Sequence, residues 1–375
     1  MDIKVHQYLQ FLRFCLDVVH QPIPECVRYI RWPELLEFAK KQTIVGLYWQ
    51  GIQQLENLPH NKPTEDDVMT WMGEVMKLKR KNRRINSVAV DVSKKFKHLG
   101  YNVCILKGQG NATMYPEPEL RTPGDIDILL GRDGKIGHKK IVHDIIAFCK
   151  KLFPTAKATY HHIDFQEIDG VPIEVHYRPS WLSNPIANHH LQQYFTEHSA
   201  QFFNRESNIG EGESIPIPET SCNVVFQLSH IYKHLLQEGI GFRQIIDFYY
   251  LLKSERLTEK EVDCLREIIA YCNLQKIASG VSWVLDEILG LEKSFIYIKP
   301  NNRYGQMLLR EILAAGNFGK YDNRALSGFY NTALKANTQK LYRDVRMSFF
   351  FPSECISEPF FRIFHAVWRW KYHKG

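Results

Sequence analysis

At 375 residues and 44.0 kDa, the chain is long enough for two or three packed units and a sizeable core. Apolar residues make up 44% and charged residues 24%, a globular composition that excludes a disordered or fibrous chain. The formal charge of +7 favours anionic ligands such as nucleotides or phosphates. It falls short of the basic density of a dedicated nucleic-acid binder, so nucleic acid is not an expected partner.

Residues 1–99 read as a helical region. The opening MDIKVHQYLQFLRF lacks the basic stretch and clean apolar run of a signal peptide. Tyr8–Val19, Pro33–Lys41 and Val45–Leu55 carry apolar residues at helical spacing, punctuated by Pro22, Pro24 and Pro33. A long helix is predicted over Asp66–Lys97, closed by Gly100. Its basic block, Lys77, Lys79, Arg80, Lys81, Arg83 and Arg84, reads either as a solvated face or as a surface for an anionic substrate.

Then the period changes. Asn102–Lys107 is a short apolar run and Asp125–Leu130 alternates. Ala158–Ile168 and Val171–Tyr177 are β-rich and joined by Asp169-Gly170, a strong hairpin signal. With an amphipathic helix over Gly137–Leu152, residues 100–206 form a small mixed α/β unit of about four strands. Ser207–Glu219, rich in Gly, Glu and Pro, reads as a connection. Residues 219–375 read as a helical domain, with helices over Thr220–Gln237, Phe242–Lys253, Thr258–Tyr271, Asn273–Leu289 and Arg303–Ala315. The tail from Ala336 is predicted helical and broken at Pro352 and Pro359. Its run Phe360–Lys374 interleaves aromatics with bases. That pattern fits a helix packed on the body with its basic face solvated, or peripheral contact with an anionic membrane.

No apolar run reaches the about 18 residues of a membrane span; Ile245–Leu252 carries Asp247 inside it. The eight cysteines are scattered without a CxxC and read as reduced core residues of a cytoplasmic protein.

The chemistry concentrates in LKGQGNATMYPEPELRTPGDIDILL, residues 106–130. Asp125 and Asp127 alternate with Ile126 and Ile128, so a strand aims both carboxylates at one face. Two carboxylates that close repel each other unless a divalent cation neutralises them, and hard oxygen ligands suit Mg²⁺ or Mn²⁺. Upstream, Lys107 and Gly108-Gln109-Gly110 place an ammonium and approachable backbone amides at the end of the preceding strand, which suits a triphosphate. A dinucleotide fingerprint is set aside, because its third glycine is missing and the acids come too early. In Val171–Tyr177, Glu174 is the lone acid of an apolar strand and shares its face with His176. Arg121, in a Pro/Gly turn, is a candidate phosphate ligand or a partner of Asp125. Arg243 and Asp247 are spaced to pair on a helix, and Arg243 meets the nucleotide if that helix lines the cleft.

The order Leu106-Lys-Gly, Tyr115-Pro, Arg121-x-x-Gly-Asp-Ile-Asp-Ile-Leu and Glu174-Val-His resembles the uncharacterised nucleotidyltransferase family of the DNA polymerase β-like superfamily. Gln109 stands where that superfamily commonly has a serine. Fainter likeness continues at His230, in Gly241–Asp247 and in Ala315–Gly319. The resemblance implies an α+β fold, with a small mixed-sheet nucleotidyltransferase core flanked by an N-terminal helical region and a C-terminal helical domain. It implies a metal-dependent transfer of a nucleoside monophosphate from an NTP to an unidentified acceptor, with release of pyrophosphate. Asp125, Asp127 and Glu174 would be catalytic and hold Mg²⁺ or Mn²⁺. Lys107, Gly108, Gln109, Gly110, Arg121 and Arg243 would bind the nucleotide. The rival expectation is a catalytically inactive nucleotide-binding or regulatory module on the same fold.

Overall fold

The computed structural model describes residues 2–56, 62–322, 324 and 333–373. Helices α1 (Ile3–Cys15), α2 (Trp32–Gln42) and α3 (Val45–Gln53) lead into the 34-residue α4 (Glu65–His98). A reciprocal cap between Thr64 and Asp67 starts α4, and Gly100 follows its end at φ 81°. Acids fill its first turn and bases its last, which complements the helix dipole.

The sheet contains β1 (Asn102–Ile105), β2 (Ile126–Gly131), β3 (His162–Asp164) and β4 (Ile173–His176), in the order β1-β2-β4-β3. A short helix α5 (Gln109–Ala112) follows β1, and α6 (Lys139–Leu152) lies between β2 and β3. Strands β2 and β4 run parallel, while β1 and β3 are antiparallel to their neighbours. Asp169 and Gly170 both take positive φ, 50° and 64°, as a two-residue hairpin turn requires. Ile126, Ile128, Leu130, Ile173 and Val175 bury one sheet face against α4 and α6. Asp127, Leu129, Glu174 and His176 belong to the other face by alternation.

The rest comprises α7 (Pro185–Glu197), the hairpin β5 (Arg205–Gly210) and β6 (Glu213–Ile217), α8 (Thr220–Gln237), α9 (Phe242–Ser254), α10 (Glu259–Tyr271), α11 (Gln275–Trp283), α12 (Asn302–Ala315), α13 (Ala333–Ser348) and α14 (Pro352–His373). The N-terminal helices share one core with these C-terminal helices, through residues such as Phe11, Tyr48, Phe226, Phe242 and Leu308.

Two expectations are corrected and one helix was not anticipated. The supposed connection at 207–219 contains most of the β5–β6 hairpin, whose Glu211 and Gly212 turn at φ 55° and 74°. Ile215 and Ile217 from it are buried beside the sheet. Helix α7 was not visible as periodicity; Asn184 caps it and Pro185 occupies its first turn. The tail breaks at Pro352 as expected, where α14 starts after α13 ends at Ser348, but α14 continues through Pro359 instead of breaking there. The lost backbone bond at Pro359 is offset by packing, because Phe361 stacks on Trp181 with ring centroids 4.0 Å apart.

Three of the six bases in the α4 block are answered by acids. Arg83 donates to Glu119 at 2.7 Å, Lys77 lies 3.3 Å from Glu74 and Lys79 lies 3.7 Å from Glu117. Among the described residues no helix is long and apolar enough to cross a membrane, and all eight cysteines are free.

Candidate active site

The parallel pairing of β2 with β4 sets Asp127 directly opposite Glu174. The antiparallel pairing of β3 adds His162 opposite His176. Asp127 is 0% exposed. Its Oδ1 accepts from His176 Nε2 at 3.0 Å and lies 3.0 Å from Lys107 Nζ. Its Oδ2, equally buried, has no hydrogen-bond partner among the described residues. Glu174 Oε2 lies 3.4 Å from His176 Nε2 and 3.2 Å from His162 Nδ1. Asp125, half-buried at the start of β2, makes no hydrogen bond or ion pair among the described residues.

Lys107 and Asp125 stand between two concavities. One is a narrow cleft of about 40 Å³ that also touches Gly108, Arg121, Asp127, Arg243 and Phe318. The other is a cavity of about 400 Å³ on the Glu174 side, walled by His161, His176, Trp181, Lys233 and Phe361 among others. Gly108 takes φ 60° and ψ −110° ahead of α5, a conformation open to glycine.

Charge is arranged to keep the carboxylates ionised. Burial alone would raise the Asp127 carboxyl, but Lys107 and His176 hold it below the usual range. Burial is likewise outweighed at Glu174, where His176 and His162 pull the carboxyl down to about 2. Against the same burial, Asp127, Asp125 and Glu174 hold the Lys107 ammonium above its ordinary value. Burial pushes His161 and His230 well below the imidazole range, so both are neutral. Burial, then the charge on Lys107, lowers Lys233 to about 8.

The nucleotide-binding candidates separate. Lys107, Gly108, Arg121 and Arg243 border the narrow cleft. Gln109 instead turns away, donating to Asn82 at 3.3 Å and to Asn86 on α4. Gly110 lies buried in α5, where a Cβ would meet the Ile105 carbonyl at 2.8 Å. Arg121 is occupied: its guanidinium grips Asp247 with two bonds of 2.7 and 2.8 Å, and Tyr115 donates to the same carboxylate at 2.7 Å. The partner of Arg121 is therefore Asp247 and not Asp125. That leaves Arg243 without its i,i+4 mate. Arg243 donates to the Thr122 carbonyl at 3.2 Å, stacks over Phe318, and keeps a buried Nε with no partner among the described residues.

The donor set fits a divalent cation. Ligand atoms of Asp127, Glu174 and His176 lie within 4.8 Å of one another, as do those of His162, Asp164 and Glu174. Orphaned Asp127 Oδ2 and unpartnered Asp125 are the features a cation would satisfy. Sequence reasoning missed Lys233, whose Nζ lies 3.2 Å from His161 Nε2. The signal was its position three residues after His230 on the same helix.

A small mixed sheet that carries acids on adjacent strands, beside a lysine-glycine turn, defines a nucleotidyltransferase-like α+β protein. The chain belongs to the uncharacterised nucleotidyltransferase family, whose model matches residues 29–290. Membership of this family supports a general role in nucleotidyl transfer. The crystal structure of an antigenic nucleotidyltransferase-like protein from Paracoccidioides brasiliensis is similar at 13% identity and a TM-score of 0.35, covering 59% of this chain and 96% of that one. No curated protein matches the chain.

Proposed function

We propose that the chain is a divalent-metal-dependent nucleotidyltransferase that moves a nucleoside monophosphate from an NTP to an acceptor and releases pyrophosphate. The observation that carries this reading is Asp127: a fully buried carboxylate with an orphaned oxygen, opposite Glu174 on the neighbouring strand. Asp125, Asp127 and Glu174 would hold Mg²⁺ or Mn²⁺. Bound there, the ion would neutralise phosphate charge and acidify the attacking group.

The chain's own groups do the rest. Lys107 and Arg243 offer cationic donors to the triphosphate, and the turn at Gly108 offers backbone close to it. Desolvation around these groups strengthens every charge interaction they make. With its carboxyl held at about 2, Glu174 is suited to holding a cation and ill suited to taking a proton at neutral pH. The acceptor would enter through the larger cavity, where Trp181 and Lys233 form part of the wall.

The experiment is to incubate the chain with mixed NTPs, Mg²⁺ or Mn²⁺ and a metabolite pool, then follow pyrophosphate and the modified acceptor by mass spectrometry. Pyrophosphate should accumulate. In Glu174→Gln, turnover should fall by about 10² or more, about 2.7 kcal/mol of transition-state stabilisation, with nucleotide affinity within about tenfold. A nucleoside diphosphate product would assign γ-phosphoryl transfer instead.

A further inference from the structure

Helix α14 is amphipathic in an inverted sense. Its inner face holds the acids: Glu354 accepts from the Ser183 and Asn184 backbone amides, and Glu358 binds Arg362 at 2.6 Å. Phe361 on that face stacks on Trp181. Its outer face holds Ile356, Phe360, Ile363, Phe364 and Val367, each between 50% and 69% exposed. Their i, i+4, i+7, i+8, i+11 spacing draws one apolar stripe about 17 Å long. On neighbouring α13, Leu341 and Val345 are also exposed, as is Phe349 just past its end.

A contiguous apolar stripe marks an interaction surface, whereas single exposed apolar residues do not. Charge decides the partner. Both acids of α14 are buried, while Arg369 and Lys371 are exposed. Near the end of the stripe, α6 and α14 enclose a groove of about 570 Å³ where Lys139, Lys140, Lys150 and Lys371 stand beside Ile146 and Tyr372, with no carboxylate in its lining. A two-fold pairing of this face with a second copy would bring like-charged lysine clusters toward each other with no exposed acid on α14 to answer them.

We propose that the outer face of α14, with the adjoining lysine groove, docks on a bilayer bearing anionic phospholipids. The stripe enters the boundary between headgroups and acyl chains, and the lysines meet the lipid phosphates. The expected packing of this tail on the body holds, with Arg369 and Lys371 exposed, and the apolar stripe left outside is what motivates the lipid contact. Lys374, in the same run, lies outside the described residues. The inner face of the same helix supplies Phe361, Arg362 and His365 to the 400 Å³ cavity, so the docking helix also forms one wall of that cavity. The inference is independent of the proposed catalysis.

The test is co-sedimentation of the full chain with vesicles of phosphatidylcholine alone or mixed with phosphatidylserine, at low and high salt. Binding should be stronger by about tenfold or more on the anionic vesicles and should weaken with salt. The double variant Phe360→Asp/Ile363→Asp should lose binding, and Lys139→Glu/Lys140→Glu should lose the preference for anionic lipid. All four positions are on exposed surface, and unchanged thermal melting of both variants confirms that they fold. Absence of binding to either vesicle overturns the proposal. So does a dimer, seen by light scattering, that Phe360→Asp/Ile363→Asp dissociates, because that result assigns the stripe to a second copy.

Discussion

Asp127 is the residue on which the site turns, and an ammonium and an imidazole already lean on it. Lys107 and His176 share its Oδ1 at 3.0 Å each, which lets a fully buried carboxylate exist without metal. Lys107→Met should therefore lower the stability of the metal-free protein by about 1–3 kcal/mol, since it removes a charged partner from a buried acid. Added Mg²⁺ should raise the melting temperature of this variant more than that of the wild type, because the cation no longer competes with the ammonium. Equal melting of the two metal-free proteins would show that Asp127 does not depend on Lys107. The Arg121–Asp247–Tyr115 cluster has the opposite character, with every charge matched and no oxygen left over. Asp247→Ala should cost about 3–5 kcal/mol in urea unfolding by stranding a buried guanidinium. A loss under about 1 kcal/mol would return Arg121 to the phosphate-binding candidates. Both acids of the Asp-Ile-Asp triplet and the third acid were legible as single chemical oddities in apolar strands. The mate of Arg121 was not, because it lies 126 residues away in sequence and helical spacing pointed to a nearer one.

At the scale of elements, strong local signals translated into structure. The Asp169-Gly170 turn, the long α4 and helices α8 to α10 follow from turn chemistry, caps and apolar period. The β5–β6 hairpin was hidden by Pro216 and Pro218, which argue against a strand, and by glycines that read as linker. Burial of Ile215 and Ile217 overrides both. Helix α14 persists through Pro359 for a similar reason: its inner face is anchored at many points, including His365, whose Nε2 accepts the Tyr160 backbone N–H at 3.2 Å. Burial, with the charge on Arg369, lowers His365 from 6.5 to about 4. A depressed histidine contributes fully above its unfolded value and loses that contribution as pH falls through the folded one. Between pH 6.5 and about 4, the link from α14 to Tyr160 should weaken. Hydrogen exchange of the Tyr160 amide, corrected for intrinsic rate, should quicken at pH 5 relative to pH 7. Unchanged protection would remove His365 from the anchor.

At the scale of the molecule, the sheet and α8 face each other across the carboxylates, and α9 and α14 close the flanks of the two concavities. No local pattern reveals such a wall. Lys233, Trp181 and His365 come from three separate helical or loop segments, and only the folded chain brings them to one cavity. The family assignment rests on sequence over residues 29–290, whereas catalysis by this particular site rests on its acids. Asp125 offers the cleanest access to that claim, since it is half-buried and unpaired among the described residues and its loss strands no partner. The decisive measurement is pyrophosphate release from NTPs by the wild type and by Asp125→Asn, in the same metabolite mixture with Mg²⁺ or Mn²⁺. Catalysis at this site predicts release that requires the divalent ion and falls by about 10² or more in Asp125→Asn at unchanged melting temperature. Full release by a correctly folded Asp125→Asn protein, or equal release by the wild type after chelation of the metal, would contradict it.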